Sequence, residues 1–243
     1  MYVDTITILH SRFPRRESYP FNVPALSGTD RLDLRDRAVF LVGDNGSGKS
    51  TLLEAVARRY GLTVWGGEKT HTAHRNPFSK SLHHFLSMEG TWEWGGIVKG
   101  FFFRAESFFN FAAFIDDMSL TDRNLLDYYG GRSLHQQSHG EAFLSFFEHR
   151  CRLPGLYLLD EPEAALSPRN QLQFIFILHR ALARPATQFI IATHSPILLS
   201  YPKAQILSCD HAPIEEIAYQ QTKSYRFYKD FLEDPTAFLK DFK

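Results

Sequence analysis

Cysteine is nearly absent: only Cys151 and Cys209 occur in 243 residues, neither of them within a motif. That excludes a disulfide framework and points to a reducing compartment. Long apolar runs are missing as well. No stretch approaches the ~18 apolar residues of a membrane span, and Met1-Tyr2-Val3-Asp4-Thr5-Ile6 has no signal-peptide character. The expectation is a soluble, cytoplasmic protein with no membrane insertion. Net charge is zero, with 27 basic and 27 acidic residues, so there is no general electrostatic case for nucleic acid. Sustained heptads are lacking, which excludes a coiled-coil arm, and no internal repeat is present.

What the chain does have is phenylalanine. Of its 22 copies, many fall in Phe101-Phe102-Phe103, Phe108-Phe109-Asn110-Phe111 and Phe143-Leu144-Ser145-Phe146-Phe147. They read first as core and second as a partner-facing surface. A hydrophobic fraction of 44% against 22% charged residues fits an ordinary protein with a real core.

The densest chemical signal is Gly43-Asp44-Asn45-Gly46-Ser47-Gly48-Lys49-Ser50, the G-x-x-x-x-G-K-S spacing of a P-loop. Such a loop wraps backbone N–H groups around the phosphates of a nucleotide. Its context agrees. Ala38 to Val42 is an apolar run suited to a buried parallel strand, and Ser50 to Arg59 has helical apolar spacing with basic residues at its end. The helix N-terminus would therefore face an anion. Gly46 and Gly48 allow close backbone approach, Lys49 reaches the outer phosphates, and Ser50 is placed for Mg²⁺.

Along the rest of the chain, Tyr2 to Leu9 alternates polar and apolar residues and predicts a half-exposed strand near an edge. Arg12, Arg15 and Arg16 follow; they stack on adenine or touch phosphate, or they are a solvated loop. Tyr60 to Glu93 reads as a mobile surface excursion. Its His71, His74, His83 and His84 have no cysteine or carboxylate to complete a metal site. Ile97 to Arg104 predicts a strand, Phe108 to Asp117 an aromatic helix, and 119–150 predominantly helix, broken at Tyr129-Gly130-Gly131. Gly155 to Asp160 is an apolar strand delivering Asp160 and Glu161 to its C-terminal end, where α/β sheets bind ligands. There Asp160 can hold the Mg²⁺ shell and Glu161 can polarise an attacking water. A helix follows near Ser167-Pro168. Thr187 to Thr193 is a further buried strand ending in His194, which can contact a γ-phosphate oxygen. Ala204 to Cys209 and Ile214 to Tyr219 predict strands, and Thr222 to Leu232 and Pro235 to Phe242 short aromatic helices that show no chemistry.

In this order the motifs resemble an ABC-type ATPase domain, by motif from Val39 to Pro196. Gly43 to Ser50 resemble Walker A, Leu156 to Glu161 resemble Walker B, Ala165-Leu166-Ser167 the D-loop and His194 the switch histidine. Gln137-Ser138-His139-Gly140-Glu141 stands where the family's Leu-Ser-Gly-Gly-Gln signature would be, keeping the serine and the second glycine. The family's strand-end glutamine has no clear counterpart; Arg104 or Glu106 occupies that place. The wording Asp160-Glu161-Pro162-Glu163-Ala164-Ala165-Leu166 and Thr193-His194-Ser195-Pro196 is similar to the stand-alone, RecF/SMC-like branch of AAA-family ATPases, some of which act in DNA repair or phage defence.

The resemblance implies an α/β P-loop NTPase fold with an ABC-type core. That core is a mostly parallel sheet flanked by helices, with an N-terminal antiparallel β part and a helical signature subdomain at about 107–150. All of 1–243 would form a single ATPase domain. It implies that Asn45, Gly46, Ser47, Gly48, Lys49, Ser50 and Thr51 bind ATP, with Ser138 and Gly140 facing the ATP of a second subunit. Ser50 and Asp160 would hold Mg²⁺, and Glu161 and His194 would be catalytic. The implied partners are a second copy in an ATP-dependent homodimer, and DNA or another protein. Two other classes share parts of the pattern: the ATP-binding subunit of a membrane transporter, which would use the missing glutamine loop, and a P-loop small-molecule kinase, which does not need the signature or His194.

Overall fold

The computed structural model describes residues 1–62, 64–65, 80–90, 99–119, 133 and 139–240. In chain order these form β1 (Thr5–Ile8), α1 (Pro24–Ser27), β2 (Arg31–Asp33), β3 (Ala38–Val42), α2 (Lys49–Arg59), β4 (Val64–Trp65), β5 (Leu86–Glu89) and β6 (Gly100–Arg104). There follow α3 (Phe108–Ser119), α4 (His139–Arg150), β7 (Gly155–Asp160), α5 (Pro168–Leu182), β8 (Thr187–Ala192), α6 (Pro196–Leu199), β9 (Gln205–Ser208), β10 (Glu215–Glu216), α7 (Lys223–Glu233) and α8 (Pro235–Phe238).

The larger sheet runs β10-β9-β3-β8-β7-β6-β4, parallel throughout except for the β9–β10 pair. Every residue of β3, β7 and β8 is buried, because helices or a second sheet cover both faces, and this is why these strands read as continuous apolar runs. Side-chain alternation splits them into two cores. Phe40, Phe101, Phe103, Tyr157, Leu159 and Phe189 face α4 and α5 in an aromatic core that also takes Phe143, Phe146, Phe147 and Phe174. Val39, Leu41, Phe102, Leu156, Leu158 and Ile190 face the opposite way, toward α2 and the smaller sheet. Phe101, Phe102, Phe103, Phe108, Phe143, Phe146 and Phe147 of the phenylalanine clusters are thus core. Phe103 alone meets the rings of Phe108, Phe143, Phe146 and Phe147 at 5.2–5.7 Å between centroids.

The smaller, antiparallel sheet runs β2-β1-β5. Here the structure corrects the sequence reading: β1 is the central strand and is largely buried, not half exposed near an edge. The reason is that both of its edges are paired, and Thr5 is sealed under Asp33 and Arg31, whose side chains bond to its hydroxyl at 3.4 and 3.3 Å. Within 60–93, described residues contribute β4 to the large sheet and β5 to the small one, which a surface excursion would not. Two buried glutamines fasten the sheets together. Gln188, the second residue of β8, accepts from the Val3 N–H at 2.9 Å and donates to the Val3 carbonyl at 2.7 Å. Gln205 of β9 does the same for the Arg35 N–H and the Asp33 carbonyl.

Candidate functional site

Because β3, β8, β7 and β6 are parallel, their C-terminal ends share one edge, and the loops leaving them share one crevice. The P-loop leaves β3, Thr193-His194 leaves β8, and Asp160-Glu161 ends β7. Arg104 ends β6 directly opposite Asp160 in register. The four segments named by the sequence motifs are neighbours in space only because the strand order differs from the chain order.

Within the P-loop, Gly46 and Gly48 have φ of +82° and +102°, a region that a side chain strains to reach. A Cβ at Gly48 would also lie 2.8 Å from Val23 Cγ1. Gly48 precedes α2, which starts without any side-chain cap, so the first-turn N–H groups are left for an incoming anion. The α2 helix starts at Lys49, one residue earlier than its sequence pattern predicts. Lys49 is almost fully buried, and its Nζ folds back to donate to the carbonyls of Gly43 at 2.6 Å and Asp44 at 3.0 Å. Burial holds its pKa below the usual lysine value. Ser47 Oγ is buried with no partner among the described residues, while Asn45 is exposed at the rim. A cation held against its own loop, an uncapped helix end and a spare hydroxyl form a cradle that suits polyphosphate.

Ser50 Oγ donates to Asp160 Oδ1 at 2.8 Å, joining the start of α2 to the end of β7. The other oxygen, Asp160 Oδ2, takes Arg104 Nε at 3.1 Å, and Arg104 Nη2 goes on to Glu54 Oε2 at 3.0 Å. Glu54 Oε1 is held by Arg58. Of the two residues that sequence reading left open at the end of β6, Arg104 is therefore the one inside the site, and Glu106 is exposed.

Glu161 follows in a left-handed conformation, φ 49° and ψ 53°, a strained position for a residue with a side chain. Its N–H bonds to the Ala192 carbonyl of the neighbouring strand, which fixes the turn. His194 Nε2 lies 3.7 Å from Glu161 Oε1 and has no hydrogen-bond partner among the described residues. Burial and the Lys49 charge hold the His194 pKa below its ordinary 6.5, so the ring is neutral near pH 7. Glu163 fixes the backbone of His194 by accepting its N–H at 2.6 Å. Gln171 links this loop to the segment before α5: it accepts from Ser195 Oγ at 2.5 Å and donates to the Leu166 carbonyl at 3.1 Å. Ser167 caps α5 by accepting the Asn170 N–H at 3.3 Å.

The fold is an α/β one, a mostly parallel sheet flanked by helices with a glycine-rich loop between β3 and α2. Residues 141–200 match the family described as "AAA domain, putative AbiEii toxin, Type IV TA system". A comparison with curated proteins gives no match. Among solved structures, the SMC head domain from Thermotoga maritima is similar, at 15% identity over 89% of this chain and 98% of that one, with a TM-score of 0.46. So is cbiO1 from Clostridium perfringens, part of the ABC transporter complex cbiONQ, at 15% identity over 86% and 90%, with a TM-score of 0.45. A nucleotide-free ATP-binding cassette from an ABC transporter has 15% identity over 86% and 90%, with a TM-score of 0.43.

The structure brings Gly46 to Thr51, Asp160, Glu161 and His194 into one crevice. Ser138 lies outside the described residues, as do His71, His74 and Tyr129-Gly130-Gly131. Gly140 is described in the first turn of α4, packed so closely on α5 that any side chain there would have to displace the amide of Asn170. Arg12, Arg15 and Arg16 are exposed. It is Tyr19 that reaches the site, its hydroxyl 2.8 Å from Thr51 Oγ1. Of the C-terminal helices, read from sequence as having no chemistry, α7 also reaches the site. Lys223 at the start of α7 pairs with Asp44 of the P-loop at 2.6 Å and with Asp210 at 3.0 Å, and Asp210 accepts the Asp44 N–H at 2.9 Å. Lys223 stands at the helix start, in the turn capped by Thr222, and carries no motif of its own, so no local pattern pointed to it. Among the described residues no helix is long and apolar enough to cross a membrane, and no group of three or more His, Cys, Asp or Glu is arranged to hold a metal by itself.

Proposed function

We propose that this chain binds ATP with Mg²⁺ and hydrolyses it, using the opening and closing of a nucleotide-bridged homodimer as a clamp. The observation that carries this reading is the Ser50–Asp160 bond at 2.8 Å with Glu161 and His194 beside it. It supports reading the crevice as a helix-borne phosphate cradle with a carboxylate for a metal shell and a base–histidine pair. Backbone N–H groups of Asn45 to Thr51 and Lys49 Nζ hold the phosphates. Ser50 and Asp160 hold Mg²⁺, which supplies charge neutralisation on the phosphates when bound. Glu161 orients and deprotonates the attacking water, and His194, neutral and with no hydrogen-bond partner for Nε2 among the described residues, offers Nε2 to the same water or to the outer phosphate. Ser138 and the N-terminus of α4 near Gly140 complete the phosphate site of the opposing subunit, and 1–243 works as one unit.

On this reading the mechanical output acts on DNA or on a partner protein, in repair or in phage defence. The family matched by 141–200 has a toxin of a type IV TA system in its description, and that wording makes a partner protein the first place to look. The test is light scattering after size exclusion. Glu161→Gln with Mg·ATP is expected at roughly twice the 28.0 kDa of one chain, and Lys49→Ala under the same conditions at the single-chain mass. ATP retained by Glu161→Gln at the single-chain mass would discard the homodimeric clamp while keeping the site.

A further inference from the structure

Arg104 occupies a place where a neutral side chain would leave Asp160 free for a metal. Instead both Asp160 oxygens are engaged, Oδ1 by the Ser50 hydroxyl and Oδ2 by the guanidinium, and Asp160 is itself only 7% exposed. The arginine has a second anchor, Glu54 Oε2 at 3.0 Å, and Glu54 is steadied from its other side by Arg58. The guanidinium also lies over the Phe102 ring, 5.2 Å from its centroid. Arg104 can therefore let go of Asp160 without becoming an unpaired cation in a half-buried crevice. A guanidinium cannot lose its proton here, so its charge is permanent.

We propose that Arg104 is the resident counter-cation of the metal site: it excludes a free divalent ion from Asp160 and yields that carboxylate only to a metal arriving with the nucleotide. This rests on the reading of Asp160 as a metal-shell carboxylate. A free divalent cation approaching Asp160 meets a fixed positive charge at hydrogen-bond range and must displace it with one carboxylate alone. A metal carried on the triphosphate brings its own negative charge, which is attracted by Arg104 and Lys49 and offsets the loss of the Arg104–Asp160 pair. The consequence is an ordered site, in which metal binding depends on nucleotide binding and adventitious metal does not lock the empty crevice.

The test is Mn²⁺ titration of the full chain followed by the electron paramagnetic resonance signal of free Mn²⁺, with and without ATP. The wild type is expected to take up Mn²⁺ with ATP and to bind it poorly without. Arg104→Gln and Arg104→Met, two neutral replacements of different polarity, are each expected to gain nucleotide-free Mn²⁺ affinity of at least about tenfold. Either one suffices if the other fails to fold. Asp160→Asn added to the folded variant should abolish the gain. Glu54→Gln, which removes a structural partner of Arg104 but keeps its charge, should leave Mn²⁺ excluded. Unchanged nucleotide-free affinity in the neutral variants would overturn the inference, as would a gain that survives Asp160→Asn or appears equally in Glu54→Gln. Absence of Mn²⁺ uptake by the wild type with ATP bound would instead remove Asp160 from its metal role, a separate failure.

Discussion

Glu163 is the residue whose environment and charge conflict most. It is half-buried between the Glu161 turn and His194; one oxygen is bonded and the other, Oε2, has no partner among the described residues. Burial raises its pKa above the ordinary 4.5, against the opposing hydrogen bonds from His194 and Thr193. The sign follows directly. The unfolded chain releases this proton near the ordinary value and the folded chain only at higher pH, so stability falls as pH rises from about 4.5 through the folded value. Glu163→Gln keeps the acceptor for the His194 N–H and removes the buried charge. It is expected to flatten that part of the stability–pH curve and to match or exceed the wild type in urea midpoint at pH 7. A midpoint lowered equally at pH 5 and pH 7 would show that burial of the charge is not what Glu163 contributes. Residue by residue, Lys49, Ser50, Asp160, Glu161 and His194 were legible because their types sit at fixed offsets from strand ends. Arg104 was legible only as one of two options, since nothing local distinguishes a side chain turned toward Asp160 from one turned to solvent.

At the scale of elements, apolar runs identified β3, β7 and β8 because those strands are covered on both faces, and the cap Ser167-Pro168 marked the start of α5. β1 was misplaced because alternation reports a two-faced environment and cannot say whether an edge is paired. The glutamine fastenings were not legible at all. A polar residue inside an apolar strand carries no sign of a backbone partner 185 positions away. Gln188 is fully buried and serves both the N–H and the carbonyl of Val3, so Gln188→Leu would strand two buried backbone groups. The expected loss is about 2–4 kcal/mol by urea unfolding, with amide exchange accelerated in β1 before β8. A variant as stable as the wild type would mean that the N-terminal segment is held by the small sheet alone.

Over the whole molecule, the strand order β9-β3-β8-β7-β6 converts motifs scattered between residues 43 and 194 into a single crevice. The same order brings Asp210 beside β3, where with Lys223 it ties α7 to the P-loop through Asp44. A nucleotide that draws Lys49 away from the Asp44 carbonyl thus disturbs a residue that α7 also holds. This whole-chain connection was invisible to motif reading, because it depends on two loops meeting across β9 and on a lysine outside every motif. Hydrolysis at this crevice is the central claim, and phosphate release from Mg·ATP by the wild type beside Glu161→Gln tests it most directly. The wild type is expected to release phosphate. Glu161→Gln is expected to bind ATP as tightly and to lose roughly a hundredfold or more in rate, the range of a removed general base. Equal phosphate release by the two proteins would contradict the assignment of Glu161 and, with it, this account of the site.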